Sequence, residues 1–232
     1  MFASSMLANS QTITAKSWAV ADDSGLIIHG ENINDQRSIA SITKLMTAML
    51  VIDAGLNMNE KIKGFTRAQH IQMALVRSSN ESSMLLCNTY PGGRSKCILD
   101  MNLKAKAIGM KNTKFVEPSG LSPMNISTAE DLVQLVLAAK YYPEIVQASR
   151  TSLLEVEVNK KKFLFKNTNP IIGQRYDFSV SKTGLTTAAG ACIVMLLNTG
   201  FTDRVVVLLG SKTVKSRIVE AETVALLNNN KN

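Results

Sequence analysis

Strand-like alternation in this chain is confined to its two ends, and most of what lies between reads as helix. Near the start, "SWAVADDSGLIIHG" (17–30) holds two apolar stretches around Asp22-Asp23-Ser24-Gly25, where Asp and Gly supply turn geometry. After residue 150, "LLEVEV", "KFLFKN", "DFSVSKTG", "ACIVMLLNT" and "RVVVLLG" read as strands, and "KSRIVEAETVALLNN" as a closing helix. Such a chain has few ways to cover its apolar faces. The economical one is an α+β fold, with a single antiparallel sheet built from both termini and flanked by helices. We therefore expect sheet from about 17–30 and 151–210, a closing helix at 212–228 and a helical lobe at about 45–150. At 232 residues this is a comfortable size for one domain over 1–232.

The helices can be placed individually. From Ser41, the positions Leu45, Ala48, Met49 and Ile52 recur at helical spacing, and Gly55 ends the run. A second helix covers "RAQHIQMALV". A third starts after Asn80 in "ESSMLLCNTY" and stops at Pro91-Gly92-Gly93. "SKCILDMNLKAKAIG" reads as another amphipathic helix. "STAEDLVQLVLAAKYY" opens with Ser127 and Glu130 in capping-box spacing.

Several function classes drop out. No run of 18 or more uncharged apolar residues is present, so no transmembrane helix is expected. The start, "MFASSMLANSQTITAKSW", lacks the positive charge and apolar length of an intact signal peptide, and the polar tail "NNNKN" reads as frayed. Two histidines, His29 and His70, without HExxH leave no parts for a zinc peptidase or a Ser-His-Asp triad, so no metal or cofactor is expected. The 11 methionines read as core filler. Of the three cysteines, Cys87 and Cys97 could pair in an oxidising compartment, but small buried thiols are the favoured reading, with Cys192 left over. A net charge of +8 favours an anionic partner. The basic residues are scattered, apart from Lys160-Lys161-Lys162 at the tip of a hairpin, and aromatics are only 5%. Nucleic acid is therefore not expected, whereas an anionic cell wall or membrane surface suits the charge.

Three short motifs carry chemistry. Ser41-Ile42-Thr43-Lys44 places a hydroxyl and an amine one helical turn apart. A serine hydroxyl is a poor nucleophile until a base takes its proton, and a desolvated lysine can be neutral near pH 7. Ser78-Ser79-Asn80 falls between two predicted helices, and Lys182-Thr183-Gly184 in a strand pattern. One S-x-x-K alone means little; all three in this order point to penicillin-recognising serine acyl transfer. In that chemistry Ser41 is the nucleophile, Lys44 its base, and Ser78 a proton relay to the leaving amine. Asn80, Lys182 and Thr183 hold substrate, while Gly184 leaves room for an extended peptide. The backbone N–H groups of Ser41 and Leu185 are the expected oxyanion donors. Ser211-Lys212-Thr213-Val214 imitates the third motif without its glycine and reads as the turn into the last helix.

The chain resembles the low-molecular-mass penicillin-binding proteins, the serine D-alanyl-D-alanine carboxypeptidases and endopeptidases, and within them the D,D-endopeptidase branch. Beyond the motifs, the likeness runs through "RSIASITKLMTAMLVIDAG", "ALVRSSNESS", "YPGG", "MNLKAKAIGMKNTKFVEPSGLSPMNISTAEDLVQLVLAAKYYPEI" and "FKNTNP". It implies the β-lactamase/transpeptidase-like fold, with a five-stranded sheet meeting an all-helical lobe at the site. It also implies a periplasmic or otherwise extracytoplasmic enzyme with peptidoglycan stem peptides as substrate and β-lactams as covalent inhibitors. The chain departs from the family between Ser41 and Ser78, where "EKIKGFTRAQH" stands in place of a longer excursion, and the additional C-terminal β domain of the larger carboxypeptidases is not expected. A catalytically weakened wall-binding homologue is the alternative that this shortening raises. A β-lactamase is a further alternative, for which Glu117 in "EPSGLSPMN" would be the deacylating glutamate, at the wrong spacing.

Overall fold

The computed structural model describes residues 12–227, so the expectations for the leader before residue 12 and for the tail at 228–232 lie outside the described residues. Its centre is a five-stranded antiparallel sheet. The N-terminal hairpin supplies β1 (Ser17–Ala21) and β2 (Ile27–Glu31), joined by a turn in which Asp22 Oδ1 accepts from the Ser24 and Leu26 N–H groups, each at 3.0 Å. A separate two-stranded hairpin follows much later, β3 (Leu153–Val158) and β4 (Lys161–Lys166). The sheet is completed by β5 (Asp177–Thr186), β6 (Gly190–Asn198) and β7 (Asp203–Ser211), in the order β2-β1-β7-β6-β5. Trp18 pairs with Leu208, so the first strand lies against the last.

The near-continuous apolar runs of β6 and β7 follow from cover on both faces. Strand alternation divides them between two cores. Val194, Leu196, Val205, Val207 and Leu209 point to the larger one, whereas Ile193, Met195, Leu197, Val206 and Leu208 point to the smaller. The smaller core is closed by α7 (Val214–Ala225), with Ile218, Ala221 and Val224 buried. Its N-cap is Thr213, in a reciprocal pair with Ser216, which bears out the reading of Ser211–Val214 as a turn into this helix.

The larger core is filled by six helices: α1 (Thr43–Asp53), α2 (Arg67–Val76), α3 (Asn80–Asn88), α4 (Gly93–Ala107), α5 (Ala129–Ala139) and α6 (Pro143–Arg150). From Thr43 to Val51 every residue of α1 is buried, as expected of a helix surrounded by others.

Four sequence expectations need correction. The strands from 153 to 166 are not part of the central sheet, because their alternation fits any half-covered ladder and they pair only with each other. The cap of α5 is Thr128, whose side chain accepts from Asp131 N–H, while Ser127 belongs to a short ladder with Arg37. A further helix, α6, opens at Pro143, where the ring suits a first turn. Finally, Cys87 and Cys97 form a disulfide, with Cα atoms 5.6 Å apart, and are not free thiols. It ties α3 to α4 across the turn at Pro91-Gly92-Gly93. Cys192 is free and buried, and burial pushes its thiol up to about 11.

Candidate active site

Ser41 sits in a single 3-10 turn, Ala40–Ile42, that runs into α1. The turn is held tightly. Ala40 adopts φ +46°, and its carbonyl accepts from Thr43 Oγ1 at 2.8 Å. Against it lies Gly120 at φ +84°, where an added Cβ would come within 1.9 Å of the Ala40 oxygen. Only glycine fits there.

Lys44 is fully buried one turn further on. Its Nζ lies 2.7 Å from Ser41 Oγ, 2.8 Å from Asn80 Oδ1 and 2.5 Å from the Ser119 carbonyl. An amide oxygen and a carbonyl can only accept, so they take two N–H bonds. The third position meets a hydroxyl, which can accept from an ammonium or donate to a free amine. Loss of one proton thus reverses a single bond, the one to Ser41. Burial lowers the Lys44 pKa to about 7, with the Glu117 carboxylate pulling the other way.

The second motif is a joint between helices. Ser78 takes φ +62°, a left-handed conformation that is costly outside glycine, and Ser79 Oγ caps α3 by accepting from Ser82 N–H. The joint leaves Asn80 facing Lys44 and Ser78 facing Lys182, which donates to Ser78 Oγ at 3.0 Å and to the Thr183 carbonyl at 2.9 Å. Lys182 is 1% exposed. Burial, then the charges of Lys44 and Arg217, hold its ammonium well below the ordinary lysine value. The shortened segment therefore still delivers both Ser78 and Asn80 to the pair of lysines.

The third motif lies within β5, at the open edge of the sheet. Peptide groups of a strand point alternately to its two sides, and the Thr183 carbonyl faces the cleft through Lys182. Two residues on, the Leu185 N–H faces the same way. An added Cβ at Gly184 would stand 3.0 Å from both Ser41 N and the Ile39 carbonyl, so the missing side chain lets the strand approach the nucleophile's turn. Ser41, Ser78, Asn80, Thr183, Leu185 and Arg217 line a cavity of about 480 Å³.

Two side chains of this site escape motif reading. Arg217 is buried and donates to the Gly184 and Cys192 carbonyls at 3.2 and 3.3 Å, while its Nε has no partner among the described residues. The available signal was an arginine in the apolar stripe of a helix, in register with Ala221 and Val224. Glu117, which the sequence offered only as a deacylating glutamate at the wrong spacing, is the other. Its carboxylate accepts from Ser119 N–H, Ser119 Oγ, Gly120 N–H, Ser122 N–H and Asn125 Nδ2. Of the histidines, His70 is buried, bonded to Ser82 Oγ and the Ile62 carbonyl, and His29 lies in β2. No cluster of three metal-ligating side chains occurs among the described residues.

Comparison with known proteins shows the family and the fold. The family model for D-alanyl-D-alanine carboxypeptidase matches residues 4–64 and 56–213. The chain belongs to the D-alanyl-D-alanine carboxypeptidase family. Relatives of this family member include the D-alanyl-D-alanine endopeptidase of Escherichia coli (strain K12), 39% identical over 73% of this chain and 62% of the relative. The D-alanyl-D-alanine endopeptidase of Pseudomonas aeruginosa is 36% identical over 80% of this chain and 67% of its own. The carboxypeptidase DacF of Bacillus subtilis is 26% identical over 84% and 57%. The chain thus spans about 62% of the length of the first of these. Among solved structures, penicillin-binding protein D2 from Listeria monocytogenes, in its cefotaxime-bound form, superposes with TM-score 0.82 at 24% identity, over 92% of this chain and 96% of that one. A variant of a Streptomyces DD-transpeptidase gives 0.84 at 22%, over 92% and 97%. The expected fold is therefore the fold this family member has.

Proposed function

We propose that this chain is the peptidase unit of a serine D,D-peptidase that cleaves D-Ala-containing bonds of peptidoglycan through an acyl-enzyme on Ser41. The observation that carries this reading is Lys44 Nζ at 2.7 Å from Ser41 Oγ, on a lysine whose pKa is about 7. As neutral amine, Lys44 takes the Ser41 proton while Oγ attacks the D-Ala carbonyl. The Ser41 and Leu185 N–H groups receive the developing oxyanion. Ser78 gives its proton to the leaving amine as the tetrahedral species collapses and is reprotonated by Lys182. Water then attacks the acyl group, its proton returning to Lys182 through Ser78 while Lys44 returns the proton it took to Ser41 Oγ. Asn80 binds the substrate backbone. Lys182, Thr183 and Arg217 gather positive charge and donors where a substrate carboxylate would lie.

The endopeptidase relatives favour cleavage of crosslinked peptides over trimming of a free terminal D-Ala. The disulfide suits an oxidising, extracytoplasmic setting such as the periplasm. No described helix is long and apolar enough to cross a membrane, and the +8 charge suits an anionic wall or membrane surface. A β-lactamase reading fares worse, because every oxygen of Glu117 is taken by its own loop and none is left to activate water. The wall-binding alternative loses its motive, since Ser78 and Asn80 both reach the lysines.

Incubation with a fluorescent penicillin, followed by intact mass and peptide mapping, tests the reading. A persistent adduct on Ser41, absent in Ser41→Ala, is expected, and crosslinked muropeptides should then be cut. A folded protein that forms no adduct and hydrolyses no penicillin would leave the wall-binding homologue as the better account.

A further inference from the structure

Lys44 depends on a loop that no motif marks. The segment from Glu117 to Asn125 carries the Ser119 carbonyl that accepts from Lys44, and it is pinned to the nucleophile's helix elsewhere. Thr47 Oγ1 donates to the Pro118 carbonyl at 2.8 Å, Asn125 Nδ2 to Thr43 Oγ1 at 3.1 Å, and Ile39 N–H to the Asn125 carbonyl at 3.1 Å. At its centre the carboxylate of Glu117, a residue only 8% exposed, takes five donors from the loop, at 2.5 to 3.3 Å. None of the five is cationic. Its charge is therefore not neutralised by contact and acts on Lys44 across the Ser119 peptide. A loop needing only acceptors could be closed by neutral groups; a buried carboxylate with no cationic contact is otherwise a costly choice.

We propose that Glu117 is a positioning residue for acyl transfer, which shapes the turn presenting the Ser119 carbonyl to Lys44 and supplies the anionic charge that balances the cationic site. This rests on the Ser41 acyl-enzyme reading. The charged group that raises the Lys44 pKa is Glu117 from the loop; Lys182 on β5 feels the Lys44 charge, and the contacts of Lys44, Ser41 Oγ, Asn80 Oδ1 and the Ser119 carbonyl, are neutral. Glu117 opposes the burial that favours the neutral amine. Removing that carboxylate lowers the pH at which Lys44 becomes a base.

The test is the pH profile of Ser41 acylation by a fluorescent penicillin in wild type, Glu117→Gln and Glu117→Asp, beside a 15N NMR titration of the Lys44 amine. Glu117→Gln should acylate at least about tenfold more slowly at its plateau, with its acid limb and the Lys44 titration both moved to lower pH by about half a unit or more. Glu117→Asp should lose rate but keep the wild-type limb, since the charge stays. Equal rate losses in both variants with no movement of the limb would reduce Glu117 to a loop fastener and overturn the proposal. If Glu117→Gln does not fold, the 13C carboxyl signal of Glu117 in wild type decides: a shift that follows the Lys44 titration supports the proposal, and a signal blind to that titration overturns it. If wild type forms no adduct, the acyl-enzyme reading fails by itself. The Lys44 titration in wild type and Glu117→Gln then still reads whether the carboxylate sets the lysine.

Discussion

At the scale of single residues, the proposed acyl transfer makes the protonation of Lys44 the quantity that sets the rate. With its pKa at about 7, the neutral amine grows as pH rises, so acylation of Ser41 should climb through pH 7 and level off above it. Lys44→Arg keeps a cation that cannot give up its proton, and stopped-flow acylation should fall by about 10²–10⁴-fold at every pH. Gly120→Ala places a Cβ 1.9 Å from the Ala40 carbonyl in a left-handed residue, and is expected to cost upwards of about 2 kcal/mol in a denaturant titration, with acylation lost alongside. The three motifs were legible in sequence because serine and lysine one turn apart, or a lysine and glycine along a strand, keep their relation in any setting. The Ser119 carbonyl and the inward face of Arg217 were not. A backbone oxygen has no letter of its own, and an arginine on a helix is ordinarily solvated until the fold puts a sheet in front of it.

Among the elements, α3 matters beyond its length, because Asn80 is its first residue and Cys87 anchors its far end to α4. The crosslink spans ten residues, and replacing both cysteines by alanine should cost about 2–3 kcal/mol by chemical denaturation. The loss should reach Asn80 as well as global stability, so hydrogen exchange in the first turn of α3 should rise more than in α5, which the crosslink does not touch. Helix positions were well marked in sequence by Gly55, Pro91-Gly92-Gly93 and the apolar spacing. The partners of strands were not. "LLEVEV" alternates as a central strand would, and nothing local says that its neighbour is "KKFLFK" alone.

For the molecule as a whole, two lysines that bind protons weakly when folded, and at the ordinary lysine value when unfolded, link stability to pH. Between about pH 7 and the unfolded lysine value of about 10.5, the unfolded chain holds more protons, so folding should become more favourable as pH rises. Thermal melts at pH 7 and 9 should show this increase, and Lys44→Met should flatten part of it. The composite sheet itself was foreseeable, since strand patterns at both ends had nowhere else to go. Its connectivity also orders events in time. The pairing of β1 with β7 means that Ser17–Ala21, once made, waits for a partner made about 190 residues later. A nascent chain cut at Asn198 has its N-terminal hairpin, β5, β6 and both lysines of its site, yet lacks β7, the strand that joins the hairpin to β6. Such a chain should remain protease-sensitive until Asp203–Ser211 has left the ribosome, open for its whole journey and then closed at once.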